Sequence, residues 1–105
     1  MHVIVHRIRL HEGIDPVRFE TWVRESDYRA APELPSLISF AVHRAAVDAN
    51  AAFHYFEVIS VTGPEEFERD MKTEVFQSLV AAFDTMASVV DEISGDRIEP
   101  GYSAG

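Results

Sequence analysis

Apolar and polar positions alternate from residue 2 to residue 10, with His2, Ile4, His6, Ile8 and Leu10 on one side and Val3, Val5, Arg7 and Arg9 on the other. A period of two predicts a strand. The spacing then changes. Asp15 suits a helix N-cap and Pro16 the first helical position. Phe19, Trp22, Val23, Ser26 and Ala30 recur at three- and four-residue intervals, predicting an amphipathic helix over 16–31, which Pro32 and Pro35 stop. Residues 36–46 alternate again, with Ile38, Phe40 and Val42 against Leu37, Ser39, Ala41 and His43. The turn residues Asp48-Ala49-Asn50 join this second strand to a third in a hairpin. The third strand, Phe53 to Val61, is aromatic and β-branched, with one charge at Glu57. Thr62 and Glu65 have capping-box spacing. Phe67, Met71, Val75, Phe76, Leu79, Val80, Phe83 and Met86 follow at helical intervals, with a break near Lys72-Thr73. Val89 to Ile98 predicts a last strand interrupted by a bulge at Gly95.

The order β-α-β-β-α-β is an α+β, ferredoxin-like plan: a four-stranded antiparallel sheet with both helices on one face. It leaves the other face bare. A chain of 105 residues buries a limited core, so a second copy is the economical cover, and a homodimer is expected. The length fits one domain over 1–105, with residues from about 100 onward forming a flexible tail.

Charge narrows the partners. Nine basic residues against 18 acidic ones give a formal charge of −9, which disfavours both nucleic acid and anionic membrane. No run approaches the ~20 apolar residues of a membrane span. The N-terminus does not read as a signal peptide. Cysteine is absent, which excludes disulfide and thiol chemistry and fits a cytoplasmic protein.

Candidate chemistry centres on the strands. Glu57 in an otherwise uncharged strand faces either water or a pocket, because a buried carboxylate is costly unless hydrogen-bonded or neutral. His6, flanked by Ile4 and Ile8, is either an interface histidine or an acid–base group. If Ala46 pairs with Ala52, His43 lies diagonal to Glu57 and the two form a carboxylate–imidazole pair; a one-residue slip breaks it. Asp27 and Tyr28 stand near the C-terminal end of the first helix, where the dipole disfavours an acid. Trp22, Phe76 and Phe83 belong to the core or to the wall of a pocket for a flat ligand. No metal site is expected: His2 and His6 are about 13 Å apart on a strand, and no His-Glu-x-x-His motif or cysteine set is present.

Several segments together resemble a known family. They are Val3-Ile4-Val5-His6-Arg7, Asp15 to Val23, Asp27-Tyr28, Pro32-Glu33-Leu34-Pro35-Ser36, Phe40 to Arg44, and Phe53 to Val58. The chain is similar over nearly its whole length to RedY-like (HapK-like) proteins of the dimeric α+β barrel superfamily. The resemblance implies a place in natural-product biosynthesis, prodiginine and bisindole compounds included, and a ligand cleft between sheet and helices. The expected function is then a cofactor-independent enzyme that cyclises, condenses, dehydrates or isomerises an indole- or pyrrole-derived intermediate. His6, His43 and Glu57 are the acid–base candidates; Asp27, Tyr28 and Tyr55 polarise or position; Trp22, Phe76 and Phe83 line the pocket. The rival is a non-catalytic protein that holds a reactive intermediate. A haem-using relative would need a histidine on a helix, and neither predicted helix has one.

Overall fold

A computed structural model describes all 105 residues, Met1–Gly105. The elements run β1 (His2–Leu10), α1 (Pro16–Trp22), a π-helical turn (Val23–Asp27), α2 (Tyr28–Ala30), a 3₁₀ turn (Ala31–Glu33), β2 (Leu37–Arg44), β3 (Tyr55–Val61), α3 (Pro64–Met71), α4 (Glu74–Asp84) and β4 (Ala87–Asp96). The strands form one antiparallel sheet in the order β2-β3-β1-β4, with β1 and β3 inside. This is the ferredoxin-like α+β plan.

Helix ends follow local chemistry. Asp15 accepts from the Val17 N–H at 2.9 Å and Pro16 opens α1. Thr73 separates α3 from α4 and caps α4 through its hydroxyl, which accepts from Phe76 N–H. The expected Thr62–Glu65 capping box does not form. Gly63 takes the N-cap position of α3 without a side-chain cap, followed by Pro64.

All helices pack on the face of β1 that carries Ile4 and Ile8. One cluster joins Ile8, Leu10, Phe19, Val23, Tyr55 and Met86; another joins Ile4, Ile59, Val61 and Phe67. The opposite face, with Val3, Val5, Phe56, Val58 and Ile93, has no helix over it, and Ile93 is 55% exposed.

Three departures from the sequence reading have local causes. The first helix is not uniform over 16–31, because the Tyr28 N–H bonds back five residues to Val23 O and opens a π turn. In β4 the bulge falls at Val90, between the Arg7–Asp91 and Ile8–Val89 pairs, while Gly95 pairs regularly with Val3. The β2–β3 register is also one residue away from the expected one. The N–H groups of Ala45 and Ala46 both donate to His54 O, at 2.8 and 3.1 Å. Ala46 thus meets His54 and not Ala52, and the bulge of this strand pair lies at its other end, between the Leu37–Val61 and Ser39–Ser60 pairs. His43 therefore opposes Phe56, and Val42 opposes Glu57.

His54 holds this loop. Its buried ring accepts from Leu10 N–H at Nδ1 and donates from Nε2 to Asp48 O, both at 3.0 Å. A second buried polar contact locks the helices to the sheet. Asp70, 5% exposed, accepts from both the N–H and the hydroxyl of Ser36, 3% exposed. Asp70→Ala strands both donors, so it is expected to cost about 2–3 kcal/mol; urea unfolding with an unchanged m-value is the check.

Candidate active site

The β-ladder registers build the floor of the site. Val42, Glu57, His6 and Glu92 stand opposite one another in a row across β2, β3, β1 and β4. Directly paired residues share a face, so a Glu–His–Glu row faces the helices. His6 Nδ1 lies 2.7 Å from Glu57 Oε1, and Nε2 lies 2.7 Å from Glu92 Oε1. An imidazolium, with an N–H on each nitrogen, satisfies both contacts. The hydrogen bond to Glu57 is the largest influence raising the His6 pKa; burial opposes it, and the Glu92 bond and both carboxylate charges add to the rise.

The π turn supplies the roof. In an α-helix, residues five apart point about 140° away from each other. An i→i+5 turn brings them round towards the same side, and such turns recur at functional sites. Here Trp22 and Asp27 both line the cavity above the Glu–His–Glu row. Burial is the main cause that raises the Asp27 pKa to about 7, and the charge of Glu57 adds to it. Glu57 thus sits between a cation and a carboxyl that holds its proton near neutrality.

The cavity measures about 550 Å³ and lies between the sheet and the helices. Its volume is in the range of small-molecule sites. The interior is open because α4, although rich in apolar residues, buries none of them completely. Phe76, Leu79 and Phe83 face the cavity instead of filling it.

The sequence-predicted residues divide between two places. His6, Glu57, Asp27, Trp22, Phe76 and Phe83 gather around this cavity. The expected His43–Glu57 pair is corrected by the register: His43 lies on the opposite sheet face, stacked on Phe56 with ring centroids 4.9 Å apart. Tyr28, Tyr55 and His43 border a second, more polar cavity of about 360 Å³. There the Tyr28 hydroxyl accepts from Val42 N–H at 2.9 Å, capping the β2 edge. Tyr55 donates to Glu20 at 2.7 Å, and Arg44 Nε donates to the same carboxylate at 2.8 Å. The Arg44 hydrogen bonds are the first cause holding Glu20 down at about 2, whereas burial first and Glu20 second push Tyr55 up to about 12. Glu92 was not among the sequence candidates. The signal was there, since it is a carboxylate in a predicted strand, as Glu57 is. No group of three or more His, Asp or Glu side chains is placed to hold a metal ion, and no helix is long and apolar enough to cross a membrane.

Comparison with known proteins adds to this geometry. The profile of the family described as REDY-like protein HapK matches residues 2–98. The crystal structure of HapK from Hahella chejuensis is 47% identical, covers 100% of both chains and superposes with a TM-score of 0.97. SnoaB from Streptomyces nogalater, a cofactor-independent oxygenase, shares the fold at 15% identity, with 95% of this chain and 97% of its own covered and a TM-score of 0.73. A dimeric ferredoxin-like protein of unknown function from Thermobifida fusca shares it at 15% identity, 90% and 86% coverage and a TM-score of 0.67. A search of curated proteins finds no match.

Proposed function

The chain belongs to the HapK family of RedY-like proteins, and from that premise we propose that it is a cofactor-independent acid–base enzyme of secondary metabolism. The observation that carries the reading is the pairing of two carboxyls of unlike environment in one apolar cavity. Asp27 keeps its proton to about pH 7, close to Glu57, whose carboxylate is hydrogen-bonded to the His6 imidazolium. A carboxyl that holds its proton beside a carboxylate hydrogen-bonded to an imidazole is the arrangement of an acid and its partner. Asp27 serves as general acid, protonating a carbonyl or leaving hydroxyl. Glu57 fixes His6 and receives positive charge that develops on the ring of the substrate. Trp22, Phe76 and Phe83 hold a flat indole- or pyrrole-derived intermediate over them. The step is a cyclisation, condensation, dehydration or isomerisation, and a cytoplasmic setting fits the cysteine-free sequence. The name of SnoaB, a cofactor-independent oxygenase of the same fold, supports a cofactor-free cavity of this kind.

The test is incubation of the purified protein with a small-molecule extract of the producing cells, followed by chromatography and mass spectrometry. Conversion of an aromatic nitrogen heterocycle by the native protein, absent with Asp27→Asn, supports the enzyme. A ligand that is bound and returned unchanged in both mass and retention time establishes the rival, a carrier of a reactive intermediate.

The reading includes a homodimer formed through the bare sheet face. Val3, Val5, Phe56, Val58 and Ile93 make that face apolar, and the Thermobifida fusca protein of this fold is described as dimeric. Ile93→Arg is expected to shift the mass in analytical ultracentrifugation from dimer to monomer. A native protein that is monomeric at high micromolar concentration overturns the dimer.

A further inference from the structure

The charges around the cavity are one-sided. Asp27, Glu57, Asp84 and Glu92 line it, together with His2 and His6, and no lysine or arginine does. The arginines of the neighbouring strands are committed elsewhere. Arg44 bonds Glu20 on the far side of α1, and Arg7 faces Asp91 at 3.5 Å on the opposite side of the sheet. The one imidazolium, His6, already gives both N–H groups to Glu57 and Glu92. His2 is turned to Asp96, with Nδ1 3.0 Å from Oδ1. An anion entering the cavity finds no free cation and meets the carboxylates instead.

What remains is acceptor capacity. Each carboxylate has about four lone-pair sites, and His6 takes one contact from Glu57 and one from Glu92. The rest are open to a ligand of the cavity, Glu57 within it and the more exposed Glu92 at its edge, where the other walls are Ile4, Ile59, Phe67, Phe76 and Phe83. We infer that the cavity selects flat heteroaromatic ligands that are neutral or cationic and carry N–H donors, and rejects those bearing a carboxylate or phosphate. Selection of this kind works by repulsion of the wrong ligand as much as by attraction of the right one. It rests on the reading of this cavity as the substrate site and adds the charge class of what enters.

Three probes that share one ring test it: tryptamine as the cation, 3-methylindole as the neutral compound and indole-3-acetate as the anion. Isothermal titration at low ionic strength and pH 7 is expected to give the tightest binding for tryptamine, with indole-3-acetate at least tenfold weaker, on the order of one opposed charge contact near a protein surface. The double variant Asp84→Asn, Glu92→Gln is expected to reduce the preference for tryptamine over indole-3-acetate severalfold. Indole-3-acetate binding as tightly as tryptamine overturns the inference. So does failure of all three probes to bind, which also removes the cavity as a substrate site. Charge selection in the titrations, with no conversion in the extract assay, leaves the inference standing and removes the catalytic reading alone.

Discussion

Asp27→Asn is expected to lower turnover about 10²–10⁴-fold, the usual contribution of a positioned acid or base, while making the protein more stable above neutral pH. The two effects have one origin. Burial and the nearby Glu57 carboxylate raise the Asp27 pKa from 3.8 to about 7. Between those values the folded state holds a proton that the unfolded state has released. Stability therefore falls as pH rises through that window. Above about pH 8 the native chain carries an ionised, poorly solvated Asp27 at a cost of about 2–4 kcal/mol, and asparagine, which has no charge to desolvate, removes it. At pH 4 the two proteins are expected to unfold alike. Denaturant titrations at pH 4 and pH 8.5 measure the difference, and a variant equally destabilised at both would show that Asp27 is an ordinary structural carboxylate. On the proposed catalytic reading, the pH dependence of kcat/KM has its own sign. A general acid is lost on deprotonation, so the rate falls above about pH 7.

The α+β plan was legible because each element has its own period. The alternation of His2 to Leu10, the Asp15-Pro16 start and the break at Lys72-Thr73 are all local signals, and each appears where the structure puts it. His6 and Glu57 were legible as chemistry because polar residues in apolar strands need a reason to be there. Their mutual contact was not. It depends on β1–β3 register, a pairing across 51 residues that no local pattern encodes. The expected His43–Glu57 pairing fails because the hairpin closes at His54 and not at Ala52, which sets β2 one residue from the expected register and sends His43 to the other face. Glu92 was missed for the same reason, since its partner lies across a strand pair 86 residues apart in sequence. The π turn left one faint trace. Asp27 near a helix C-terminus was an electrostatic misfit, and the opened turn aims that misfit into the cavity.

The Glu57–His6–Asp27 arrangement makes a prediction that a merely structural cluster would not. Glu57→Gln and His6→Ala both break the same 2.7 Å contact, yet they are expected to move Asp27 in opposite directions. Glu57 is the one charge that raises Asp27 beyond what burial does, so glutamine there brings the Asp27 midpoint below about 7. Removing His6 takes a cation away from Glu57 and Glu92 and leaves Asp27 facing more uncompensated negative charge, so its midpoint moves above about 7. Carbon-detected NMR titration of the Asp27 carboxyl reads both shifts without a substrate. On the proposed reading the alkaline limb of the rate profile follows the same order, with His6→Ala holding its rate to higher pH than the native protein and Glu57→Gln losing it at lower pH. His6 itself is raised chiefly by Glu57, so its stabilising charge, present below the ordinary histidine value of 6.5, is lost as pH rises through the elevated one. Glu57→Gln brings that loss to lower pH. Shifts of Asp27 in the same direction for both variants would mean that Glu57 and His6 do not act on it through charge, and the acid–base assignment of the row would fall with them.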